Sequence, residues 1–171
     1  MLRSQTFLAL MILVVGATAT GCMRDRMPGD FEIKASAGGI PDWNGTTEHV
    51  HLYANGRGEW ARWENGVFSP ADSGRFVVPP ERVAEVWRAI RSNHFFRLAP
   101  RHVDRRIYDG GYLRLWVVAY GDTHVVRVRN ANVPRMRRIY EAINRVTPRE
   151  ATLGYEDIGQ NSSPWWMRLL R

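Results

Sequence analysis

The sequence predicts an α+β domain, an antiparallel sheet of about five strands with two amphipathic helices on one face, in the order β-β-β-α-β-β-α. Three observations carry this. Several stretches alternate apolar and polar residues around glycine turns, as paired strands do. Two others, each opening on proline, repeat apolar residues at helical spacing. Strands do not alternate one by one with helices, so a doubly wound parallel sheet is excluded.

Taken in order, Phe31, Ile33 and Ala35 alternate with Glu32 and Lys34 to give a first strand, followed by a glycine-rich loop from Ser36 to Thr47. The segment "HVHLYANGRGEWARW" predicts a hairpin, because Asn55-Gly56 tolerates positive φ at both turn positions. A two-residue loop sets Leu52 opposite Glu59 and a three-residue loop sets it opposite Trp60; the second is expected. After Pro79-Pro80, "ERVAEVWRAIRSN" places Val83, Val86, Trp87 and Ile90 on one helical stripe, and Phe95, Phe96 and Leu98 continue the core. "YLRLWVVAYGDTHVVRVRN" predicts a second hairpin turning on Gly121-Asp122, with Tyr120 opposite Thr123, Val117 opposite Val126, Leu115 opposite Val128 and Arg114 opposite Arg129. That register buries Leu113, Leu115, Val117, Val126 and Val128 and leaves Arg114, Trp116, Tyr120, Arg127 and Arg129 on the other face. A last helix from Pro134 to about Arg145 buries Met136, Ile139, Tyr140 and Ile143, exposes Arg135, Arg137 and Arg138, and stops at Pro148.

The N-terminus differs in kind. Arg3 precedes the unbroken apolar run Phe7–Val15, and small residues follow from Gly16 to Gly21, which is the layout of an export signal. The run is well short of the roughly 20 residues that cross a bilayer as a helix. Two cleavage sites compete. Ala17-Thr18-Ala19 suits ordinary secretion, which would leave Cys22 as an odd thiol in an oxidising compartment. Ala19-Thr20-Gly21-Cys22 resembles the lipobox of bacterial lipoproteins, with Ala19 where leucine is usual. That resemblance, the favoured reading, implies cleavage between Gly21 and Cys22 and a diacylglycerol, with a further acyl chain such as palmitate, on Cys22. Two or three chains anchor stably where one does not. It also implies export to a bacterial membrane; Met23 stands where an inner-membrane retention signal carries aspartate, which favours the outer membrane and the periplasm. The expected organisation is therefore a signal over 1–21, the lipidated cysteine and a tether over 22–30, one globular domain over 31–150 and a C-terminal tail over 151–171.

The domain itself resembles a family of small exported bacterial domains of unknown function. The resemblance rests on Gly38-Gly39-Ile40-Pro41 after the first strand, the Asn55-Gly56 turn and Asn93-His94-Phe95-Phe96 at a helix end. A Cys-Pro segment found in some relatives is missing, and the resemblance brings a fold but no activity.

Charge points to partners. The chain carries 24 basic and 17 acidic residues, and loss of Arg3 with the signal leaves a net +6. Lys34 is the single lysine, so the basic surface is almost wholly arginine. Such a surface favours an anionic envelope component, an acidic lipid or polysaccharide, or an acidic protein, rather than nucleic acid in an exported chain. The open face of the second hairpin, Arg114, Trp116, Tyr120, Arg127 and Arg129, is the candidate anion site, since arginine beside tryptophan offers stacking and paired donors.

Signals for catalysis are sparse. No nucleophile elbow, phosphate-binding loop or zinc-protease helix occurs, and no cofactor is implied. His49 and His51 share one strand face at a spacing that chelates metal, but His102, Asp104 and Asp109 lie in a different loop and no third ligand is fixed. A non-catalytic binding or structural module is the expected class, with an envelope hydrolase or metal-dependent enzyme built from loops as the alternative. The tail "SSPWWMRLLR" needs burial, either in a groove of the domain or on the membrane surface.

Overall fold

The computed structural model of the chain describes residues 26–38, 46–64, 67–106 and 111–155. The expected export signal over 1–21, Cys22, Asp109 and the residues from 156 on lie outside the described residues. At the centre is β1 (Glu32–Gly38), which pairs antiparallel with β2 (Thr46–Tyr53) on one side and with β6 (Tyr112–Ala119) on the other. Beyond β2 come β3 (Arg57–Glu64) and β4 (Val67–Val77); beyond β6 come β7 (Asp122–Arg129) and β5 (Arg101–Val103), giving the order β4-β3-β2-β1-β6-β7-β5. Two helices, α1 (Pro80–Ser92) and α2 (Pro134–Val146), pack against each other and share one core with the sheet's apolar face.

The α+β class holds, but the sheet has seven strands rather than about five and is mixed rather than antiparallel, because β5 runs parallel to β7. The order of elements becomes β-β-β-β-α-β-β-β-α. Strand β4 contains Pro70, Asp72 and Gly74, a loop-like composition that is tolerated because β4 is an edge strand and its register against β3 shifts between Ala61 and Trp63. Strand β1 also runs further than its alternation suggested, through Ser36, Ala37 and Gly38, because it has a ladder on both sides.

Both hairpin registers differ from expectation. In the first, Gly56 alone takes positive φ (83°), and a three-residue loop, Ala54 to Gly56, sets Leu52 opposite Gly58 rather than Trp60. In the second, the turn residues are Tyr120 (φ 57°) and Gly121 (φ 77°), not Gly121-Asp122. Asp30 explains the choice, since its carboxylate accepts the Tyr120 N–H at 3.0 Å and the Gly121 N–H at 2.6 Å. Val117 therefore faces His124, Leu115 faces Val126 and Arg114 faces Arg127. A shift of two residues in the pairing preserves which side chains share a face, so Leu113, Leu115, Val117, Val126 and Val128 are all buried as the alternation required.

The helix stripes are as read: Val83, Val86, Trp87 and Ile90 from α1 and Met136, Ile139, Tyr140 and Ile143 from α2 are buried. The Tyr140 hydroxyl lies 2.9 Å from the Ser36 carbonyl and 2.8 Å from that of Arg114, so α2 is pinned to the two central strands at one point. Residues on either side of 31–150 pack on the domain. Met27 packs on the core, Phe31 N–H bonds the Pro28 carbonyl, and at the other end Ala151 and Leu153 are buried while Asn144 holds Leu153 by its backbone.

Candidate functional site

The face of the sheet turned away from the helices carries a row of side chains fixed by strand register. From one edge it reads Arg101 (β5), Arg127 (β7), Arg114 (β6), Ser36 (β1), His49 (β2), Ala61 (β3) and Ser73 (β4), each directly opposite the next. Adjacent strands lie about 4.8 Å apart, so the three arginines stand along roughly 10 Å. All three are exposed. Arg129, one step along β7, faces Tyr112 on the same side.

Like charges directly opposite one another on a sheet are destabilising, usually by a few tenths of a kcal/mol to about 1 kcal/mol. The carboxylates on this side of the molecule do not relieve them. Glu32 bonds His51 at 2.5 Å and Lys34 at 3.3 Å, Glu59 pairs with Arg75, and Asp104 closes on Arg106 at 2.9 Å. The bonds from Arg106 hold the Asp104 carboxyl down at about 2. None of the ion pairs among the described residues includes Arg101, Arg114, Arg127 or Arg129.

Next to the arginines, His49 Nδ1 lies 2.9 Å from Ser36 Oγ. Burial, and secondarily the positive charge of Arg114, push the His49 pKa below its ordinary value, so the ring is neutral at pH 7. A shallow cleft of about 560 Å³ opens over this part of the face, between Lys34, Ser36, His49, Ser73 and Arg75. The Ser36–His49 pair has the composition of a nucleophile and base, but Ser36 sits in mid-strand with a ladder on each side. The backbone N–H groups around it are spent in those ladders, so they cannot form the paired donors that stabilise an oxyanion.

Of the sequence-predicted anion site, Arg114, Trp116, Arg127 and Arg129 do share the open face. Trp116 is covered by Lys34, whose Nζ is 4.4 Å from the ring centroid, rather than by an arginine. Tyr120 is a correction. Its positive φ in the turn carries the ring to the helix side, 5.8 Å and edge-on from Trp87, with its hydroxyl donating to the Arg26 carbonyl at 2.8 Å. Arg101 was missed, because a three-residue parallel strand leaves no periodic signal.

The structure separates the histidines from the other metal-ligating candidates. His49 and His51 do share the open face, but His51 is held between Glu32 and the Tyr53 hydroxyl, 3.2 Å from Nδ1, and His49 is bonded to Ser36. His102 is on β5, four strand spacings or about 19 Å away, and on the opposite face. Among the described residues no three His, Cys, Asp or Glu side chains are placed to hold a metal ion. No helix of the described residues is long and apolar enough to cross a membrane.

No family model and no curated protein matches the chain.

Proposed function

We propose that this chain is a bacterial lipoprotein, anchored through lipid on Cys22 and facing the periplasm, whose domain is a non-catalytic binding module for an anionic envelope component. The open face is the binding surface. One observation carries the reading: Arg101, Arg127 and Arg114 stand side by side on three neighbouring strands with no carboxylate of the described residues paired to them. Guanidinium groups in a line suit an extended partner bearing repeated carboxylates or sulfates, each taken by paired donors. The cleft over Ser36 and His49 continues the same row and gives the partner's uncharged portion a place to lie.

The binding test uses the chain from Met23 onward, which keeps every strand and helix of the fold. Replacing Arg101, Arg114 and Arg127 with glutamine is expected to lower the salt concentration that elutes the protein from heparin. His49 gives a readout specific to this face. Neutralising Arg114 with a bound sulfated oligosaccharide removes one of the two causes that depress its pKa, so the His49 titration midpoint, followed by NMR, should rise. Unchanged elution together with an unchanged His49 midpoint would overturn the reading. The anchor is tested separately: the full-length wild type is expected in the detergent phase of a Triton X-114 partition, and lipid labelling should be lost in Cys22→Ser.

A further inference from the structure

The helix layer carries a second cationic surface, on the side of the domain away from the arginine row. A groove of about 1080 Å³ runs between α1, the turn after it and α2, and five arginines line it: Arg88, Arg91, Arg97, Arg138 and Arg145. Among the described residues that line it the carboxylates are Glu85 and Glu141, and Glu85 is paired with Arg82 at 3.1 Å. Part of the lining is fixed in place. Arg138 Nε donates to Asn93 Oδ1 at 2.6 Å, Asn93 in turn donates to the Ala89 carbonyl at 2.8 Å, and Arg91 lies over the Trp87 ring at 5.8 Å.

The position of the N-terminal segment says what this groove meets. The Arg26 carbonyl is held by the Tyr120 hydroxyl, Tyr120 stands edge-on to Trp87, and Trp87 lines the groove. The chain therefore joins the domain at the turn between β6 and β7, on the helix side and one side chain removed from the groove's Trp87. From Cys22 to Arg26 is four residues, which fully extended reach at most about 14 Å. A compact chain of this size is about 35 Å across, so a domain tied that closely at one point beside its helix layer is restrained in how it can face the bilayer.

We infer that the inter-helix arginine groove is a membrane-docking surface that binds the anionic phospholipid headgroups of the bilayer holding the anchor. The docking rests on the Cys22 reading for its geometry, since a reach of at most about 14 Å lets the groove come down to the headgroups, whose field decays over a Debye length of about 8 Å. It also divides labour between the two faces: with the helix layer down, the arginine row on the sheet faces away from the membrane and stays open to a partner.

The test uses the unlipidated chain from Met23 and sedimentation with vesicles of phosphatidylcholine alone or with 30% phosphatidylglycerol. Wild-type chain is expected to bind only the anionic vesicles, with an affinity that falls steeply as salt rises. Arg88, Arg91, Arg138 and Arg145 changed together to glutamine should weaken that binding about 1,000-fold, on the usual contribution of a basic side chain near an anionic surface. Since Arg138 also orders the end of α1, Arg88→Glu with Arg145→Glu is a second variant that leaves that contact intact, and at least a tenfold loss is expected from it. The open-face variant with Arg101, Arg114 and Arg127 changed to glutamine should lose less of that binding than either groove variant. Absence of wild-type binding, or loss in the open-face variant with retention in both groove variants, overturns the docking surface. Because no lipid is attached in this measurement, its result is independent of the detergent-partition test of Cys22.

Discussion

Asp30 shows how much one side chain decides here. It sits just before β1, yet it caps the turn between β6 and β7 by accepting two consecutive backbone N–H groups, and these bonds, Gly121 first, hold its pKa below 3.8. A carboxyl whose folded pKa is depressed stabilises the fold fully above its unfolded value and loses that contribution as pH falls through the folded one. Asp30 is exposed, so solvent screening keeps the effect small, about 1 kcal/mol at pH 7. Asp30→Asn should therefore unfold at lower urea than wild type at pH 7, and the gap should close at acidic pH, below the usual 3.8 of an aspartate. An equal gap at both pH values would mean that the amide fails on geometry and that the charge contributes nothing. His49 has the same sense at higher pH: with its pKa depressed by burial and by Arg114, the folded state resists protonation, and its contribution to stability falls as pH drops below 6.5.

At the scale of elements, the two hairpins use glycine differently. Gly56 and Gly121 both have positive φ, 83° and 77°, where an L side chain costs roughly 1 kcal/mol. Their surroundings differ. A Cβ at Gly56 would run into the Val78 carbonyl, whose residue bonds back to Gly56 between backbone groups, whereas a Cβ at Gly121 meets open space. Gly121→Ala should cost about 1 kcal/mol and Gly56→Ala at least about 2 kcal/mol, read as the difference in urea midpoints at constant m-value. Equal costs would show that the Val78 strand end gives way freely. The helices are held by different means, α1 through Trp87 against Phe31 at 5.3 Å and α2 through the Tyr140 hydroxyl against two strand carbonyls.

Viewed as a whole molecule, arginines cluster on two opposed surfaces, the arginine row of the sheet and the arginine groove of the helices, with the apolar core between them. The two sets share no contact and are separated by the thickness of the domain, so their effects should add. Joining the three open-face substitutions to Arg88→Glu and Arg145→Glu should change unfolding free energy by the sum of the separate changes, within about 0.5 kcal/mol. Each set should lower the heparin elution salt on its own, and the joined variant should elute below either. A joined variant that elutes no earlier than the weaker parent would mean that the polyanion reads only one surface.

Some of this was legible in the residues alone. Alternation along β1, β6 and β7 and the stripes of α1 and α2 named nearly every core residue of those elements, because which way a side chain points is a property of local periodicity and survives a two-residue slip of register. The same alternation put Arg114, Trp116, Arg127 and Arg129 on one face. The register itself was not legible. It depends on Asp30 reaching a turn 90 residues away and on which turn residue takes positive φ. Strand β4, with proline and glycine inside it, and β5, three residues long and parallel, exist because a neighbouring strand offers them hydrogen bonds, and that offer is made only in the assembled sheet. So the sequence by itself determined which residues are buried and that the surface is basic. Only the tertiary structure set Arg101, Arg127 and Arg114 side by side, because cross-strand neighbours are a non-local pairing and no pattern within a single strand encodes its partner.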